Sequence, residues 1–165
     1  MIKYVPRMTS VVLEEIPDRL TLAVDISNCQ GNCEGCHSPF LRADIGEELT
    51  PEVIDFLIDD NFGVNCFLFL GEGNDMDALL ALADHLNEKY PSIEVALYSG
   101  LKHVDERVWD HFDYVKTGPY KRAYGPLNER TTNQRLFRLK RGGGIDSAED
   151  ITYRFWHKGI DPNRQ

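Results

Sequence analysis

A chain of 165 residues is long enough for one domain with its own core, and a composition of 42% hydrophobic and 27% charged residues excludes disorder over most of its length. A formal net charge of −9 and a sequence pI near 5.0 disfavour nonspecific attachment to nucleic acid or to an anionic membrane. No apolar stretch reaches bilayer length and residues 1–10 lack a signal-peptide core, so the reading is a single domain over residues 1–165, cytoplasmic, with no nucleic-acid or membrane partner.

In chain order, residues 11–14 suit an edge strand or hairpin arm, and residues 20–27 an apolar strand. A loop rich in Cys, Gly and Pro runs to about Leu49. Thr50-Pro51 then offers an N-cap with proline at the first helical position, and Val53, Ile54, Leu57 and Ile58 recur at helical spacing. Cys66–Leu70 is apolar throughout, as in a parallel strand buried on both faces. Met76, Leu79, Leu80, Ala83 and Leu86 form one helical stripe within residues 75–90, stopped by Pro91. A strand is predicted over 93–98, a short helix on Val104, Val108 and Phe112, and a strand over Tyr114–Thr117. Further strands are predicted over 134–140 and 152–156, with a flexible Gly142-Gly143-Gly144 turn between them.

Strands alternating with helices at this spacing imply βαβ units and a mainly parallel sheet of the α/β class. The length excludes a full eight-unit barrel and leaves an open partial (β/α) barrel or a doubly wound sheet. In either, active residues lie beyond the C-terminal strand ends, which here are the loops 28–49, 71–75 and 99–103.

The strongest chemical signal is Cys29-Gln30-Gly31-Asn32-Cys33-Glu34-Gly35-Cys36, a C-x3-C-x2-C array two residues after a predicted strand. Three thiolates this close can wrap one iron–sulfur cube, and three ligands for four irons leave one iron open. Gly31 and Gly35 let the backbone bend tightly. The competing reading is structural zinc, which ordinarily takes four ligands. Cys66 is the remaining thiol, and its apolar strand reads as core; His37 adjoins Cys36 too closely to reach the same metal easily. His85, His103, His111 and His157 are scattered and read as surface residues, and Trp109 and Trp156 as packing residues.

The cysteine array, placed after the first strand of a short α/β chain, resembles that of radical S-adenosylmethionine enzymes. Four further segments resemble the small activating proteins of anaerobic ribonucleoside-triphosphate reductase: Cys36-His37-Ser38-Pro39; Asp113-Tyr114-Val115-Lys116-Thr117-Gly118-Pro119-Tyr120; Gly125-Pro126-Leu127-Asn128; and Thr132-Asn133-Gln134-Arg135. The likeness covers about residues 16–139. One departure is Gly35, where most members have an aromatic residue before the third cysteine.

The resemblance implies a compact radical S-adenosylmethionine core in which Cys29, Cys33 and Cys36 hold a [4Fe–4S] cluster. The open iron would chelate S-adenosylmethionine. It further implies an external electron donor, flavodoxin or ferredoxin, and a glycyl radical formed on the reductase, with no side-chain acid or base required. The family's Gly-Gly-Glu-type turn falls on Leu70-Gly71-Glu72-Gly73, with Leu70 at the expected first glycine. Gly71 and Gly73 would admit the cofactor, and Glu72 would accept from its ammonium; a plain polar turn capping the next helix is the alternative. Ser99 would line the ribose and methionine, or form an ordinary turn. Lys116 would meet the cofactor carboxylate, or reach solvent. His37, Asn133, Gln134 and Arg135 are assigned to the pocket or to partner contact. The alternatives are a radical enzyme acting on another glycyl-radical protein or small substrate, and a non-enzymatic iron–sulfur or zinc protein.

Overall fold

The structure is a computed structural model that describes residues 1–31 and 38–156. A seven-stranded mixed sheet carries the fold, in the order β2-β3-β5-β6-β7-β8-β9. Its centre is four parallel strands: β3 (Thr21–Asp25), β5 (Cys66–Leu70), β6 (Glu94–Tyr98) and β7 (Tyr114–Thr117). β2 (Ser10–Val12) on one side, and β8 (Arg135–Arg138) then β9 (Glu149–Asp150) on the other, run antiparallel to their neighbours. A separate antiparallel pair joins β1 (Lys3–Tyr4) to β4 (Glu47–Glu48).

The helices form where capping and periodicity agree. α1 (Pro51–Asp60) begins with Pro51, and its first turn is capped by the Thr50 hydroxyl, which accepts from Val53 N at 3.2 Å. α2 (Met76–Lys89) is capped by Asp75, which accepts from Ala78 N at 3.1 Å. α3 (Val108–His111) is a single turn. Strand alternation divides the core into two layers. Leu22, Val24, Phe67, Phe69, Val95, Leu97 and Val115 face α1, α2 and α3. Ala23, Cys66, Leu68, Ala96, Tyr114 and Leu136 face the other way, under Ile16, Ile151 and Phe155.

The parallel strands step across the sheet in one direction, and the three crossover helices pack on the same face. A doubly wound sheet would reverse direction and place helices on both faces, so that alternative is excluded. The sheet is open, with β2 and β9 at its edges. No helix among the described residues is long and apolar enough to cross a membrane.

Two expectations need correction. Residues 152–156 contain no strand: α4 (Tyr153–Trp156) is a helical turn, because Ile151 and Phe155, four residues apart, both bury against the helix-free face. Gly142-Gly143-Gly144 is a pinned turn. The Ser147 hydroxyl donates to Gly144 O at 2.7 Å and accepts from Lys140 N at 3.0 Å.

Candidate functional site

The carboxyl ends of β3, β5, β6 and β7 share one sheet edge, and the loops 28–49, 71–75 and 99–103 all leave from it. The base of the cysteine loop is firmly closed. Ser27 is fully buried; its amide donates to Lys3 O at 3.0 Å and its hydroxyl to Ile45 O at 2.8 Å. Asn28 adopts a left-handed φ of 60°, and the amides of Asn28 and Cys29 donate to Ala43 O (3.2 Å) and Leu41 O (2.9 Å). Lys3 pairs with Asp44 at 2.8 Å, and Asn28 Nδ2 donates to the same carboxylate at 3.1 Å. Cys29 is thereby held half-exposed, with Gly31 N–H directed at its Sγ at 3.4 Å. Cys33, Cys36 and His37 lie outside the described residues, as does His157.

Cys66 has no access to this loop. It opens β5 at the opposite end of the sheet, so the strand itself separates it from the edge by about 13 Å at ~3.3 Å per residue. It is fully buried, and desolvation pushes its thiol up to about 12. A zinc site using Cys66 as fourth ligand is therefore ruled out, and its reading as core stands.

The second element of the site is the turn after β5. Gly71 has φ +110° and Gly73 φ +66°, both left-handed. A Cβ on Gly73 would lie 3.0 Å from Ile2 Cδ1 and 3.3 Å from Ile26 Cγ2, so the turn needs glycine there for space as well as for φ. The turn directs Glu72 across the top of the sheet to Ser99, whose hydroxyl donates to Glu72 Oε1 at 3.0 Å. Ser99 is fully buried and its oxygen also accepts from Leu101 N at 3.0 Å. Asp75, not Glu72, supplies the cap of α2, so Glu72 is free of the helix-capping role. Burial pushes the Glu72 carboxyl above its ordinary value and nearby Asp105 adds to this; the Ser99 hydrogen bond and the Lys116 charge oppose it. Its second oxygen, Oε2, is buried with no hydrogen-bond partner among the described residues. A ligand ammonium arriving at this edge would satisfy it.

Lys116 does not reach solvent: it is 7% exposed, on the helix-free face. Its Nζ lies 5.6 Å from the centre of the Tyr98 ring. In the amide orientation that satisfies both donors, the Gln134 oxygen accepts from Lys116 Nζ at 3.0 Å and from Tyr120 N at 3.3 Å. Glu72, Ser99, Lys116 and Gln134 thus come together. Asn133, next in the chain to Gln134, donates from Nδ2 to Pro119 O at 3.0 Å, and its Oδ1 is buried with no partner among the described residues. Arg135 pairs with Asp150 at 2.7 Å and lies over the Trp156 ring. The histidines differ from expectation, since His85 and His111 are half-buried and paired with Asp55 (2.8 Å) and Asp84 (2.6 Å).

Sequence reasoning missed Asp25. Cross-strand register aligns Asp25, Leu70, Tyr98, Lys116 and Leu136 in one row at the sheet edge. Burial pushes the Asp25 carboxyl up, and it has no ion-pair partner among the described residues. A lone charge ending the apolar strand Thr21–Asp25 was the available signal. No family model matches the chain, and no curated protein or solved structure matches it either.

Proposed function

We propose that the chain binds a [4Fe–4S] cluster through Cys29, Cys33 and Cys36, together with S-adenosylmethionine. In this reading it is an oxidoreductase, the activase that generates a glycyl radical on anaerobic ribonucleoside-triphosphate reductase. The fold is then a partial (β/α) barrel serving as a compact radical S-adenosylmethionine core. The observation that carries the reading is the buried Oε2 of Glu72, without a partner among the described residues, on the same sheet edge as the cysteine loop. A half-satisfied carboxylate between two left-handed glycines suits a positively charged amino group.

The bound pair would supply one-electron reductive cleavage of the sulfonium, with the electron drawn from flavodoxin or ferredoxin. The chain's own residues bind and orient. Glu72, fixed by Ser99, accepts from the methionine ammonium. Lys116, held beside Tyr98 and Gln134, offers a cation to the methionine carboxylate. The buried floor of the parallel strands keeps water from the reacting carbon.

Anaerobic reconstitution followed by incubation with dithionite, S-adenosylmethionine and the reductase tests the proposal. Iron at about four per chain, 5′-deoxyadenosine formation and a glycyl radical signal are expected. Zinc without iron rejects the cluster, and cofactor cleavage without a glycyl radical rejects the partner.

A further inference from the structure

The chain is acidic overall, yet residues 116–141 carry eight Lys and Arg against a single acid, Glu129. This basic stretch borders a cavity of about 470 Å³, within the ordinary range for small-molecule sites. Lys102, His103, Lys121, Tyr124, Asn133 and Arg135 line it. Arg135 is neutralised by Asp150, but no ion pair among the described residues involves Lys102, His103 or Lys121. Two lysines without an ion pair among the described residues, beside a histidine able to donate, form a site for an anion at one concave place on an acidic protein.

Two further features narrow the ligand. Tyr124 is 48% exposed with its ring available, and Lys121 Nζ sits 6.0 Å from the ring centre, so an aromatic plane adjoins a cation. Asn133 Oδ1, buried and without a partner among the described residues, is an acceptor suited to a donor such as an exocyclic amine. The cavity is distinct from the Glu72 site: Thr117, in its lining, follows Lys116 in β7 and so faces the helix-covered side, whereas Lys116 faces the helix-free side.

We infer that this cavity binds a nucleoside phosphate, the phosphates held by Lys102, His103 and Lys121 and the base set against Tyr124 near the Asn133 amide. The inference does not depend on what the cysteine loop holds. Calorimetric titration of the full chain with ATP, and separately with inorganic tripolyphosphate, tests it. The expected result is saturable ATP binding, weakened about tenfold or more in Lys102→Glu/Lys121→Glu. Tyr124→Ala should weaken ATP binding while leaving tripolyphosphate binding unchanged. All three substituted side chains are exposed, and unchanged circular dichroism would verify folding; if the double variant fails to fold, the Tyr124→Ala comparison decides alone. Absence of ATP binding up to about 1 mM overturns the inference. So does ATP binding that the double variant retains, tripolyphosphate binding as tight as ATP, displacement of ATP by S-adenosylmethionine, or binding of acidic proteins with none of ATP.

Discussion

Two carboxylates at opposite ends of the same sheet, Asp113 buried and Glu72 half-buried, are treated in opposite ways. Asp113, just before β7, is 5% exposed and fully matched. It accepts from Val95 N at 2.8 Å and from the Arg141 guanidinium at 3.0 and 3.2 Å, while Arg141 also donates to Pro91 O and Ile93 O. Glu72, at the carboxyl edge, has one oxygen paired with Ser99 and the other buried with no partner among the described residues. Folding alone explains the first, because each of its two oxygens meets at least one donor fixed by the chain. It leaves the second unexplained, and a carboxylate held short of a partner is what a site for a cationic ligand requires. The amino edge of the sheet is closed, whereas the carboxyl edge leaves one carboxylate oxygen unmatched among the described residues.

Substitutions that treat the two ends alike would break this contrast. Asp113→Ala should have the largest effect on stability. It strands Val95 N–H and the Arg141 guanidinium, costing about 3 kcal/mol in urea unfolding. Gly73→Ala comes next, at about 2 kcal/mol, since it meets both a left-handed φ and the Ile2 and Ile26 side chains. A smaller loss from Gly73→Ala would mean that the Glu72 turn is not tightly built. Cys66→Ala should cost about 1 kcal/mol and leave iron incorporation intact, while Cys29→Ala leaves stability near wild type and abolishes it. With its thiol at about 12, Cys66 should also resist iodoacetamide at neutral pH in the folded chain, whereas half-exposed Cys29 reacts; peptide mass mapping reads both.

Glu72→Gln should change stability least. The folded carboxyl lies above its unfolded value, so the folded state binds the proton more tightly. Its contribution to stability is therefore full below the unfolded pKa and is lost as pH rises through the folded pKa. The variant should flatten that part of the stability profile while weakening binding of S-adenosylmethionine about tenfold or more. A Glu72→Gln variant as sensitive to pH as the wild type, or one that binds the cofactor equally well, would erase the distinction between the two carboxylates.

Much of this architecture is legible in the amino-acid order because burial imposes a period on it. Cys66–Leu70 and Tyr114–Thr117 emerge with the bounds that their apolar runs suggest, and both long helices begin at the cap residues visible as Thr50-Pro51 and Asp75. Two-residue strands have no period, so the β1–β4 pair that braces the cysteine loop left no trace. Residues 152–156 misled because the spacing of Ile151 and Phe155 suits either a strand or a helical turn in so short a piece. At the site, Glu72, Ser99 and Lys116 could be placed at strand ends from topology alone. Their mutual contacts, and the alignment of Asp25 with Lys116 across four strands, depend on a cross-strand register that a linear pattern does not encode.

Electron paramagnetic resonance of the anaerobically reconstituted, reduced chain, recorded with and without S-adenosylmethionine, addresses the receptive edge most directly. The account predicts a reduced [4Fe–4S] signal whose shape changes when the cofactor is added, and a weaker response at the same cofactor concentration in Glu72→Gln. A cluster spectrum indifferent to the cofactor, or a loop that takes up zinc and no iron, would contradict it.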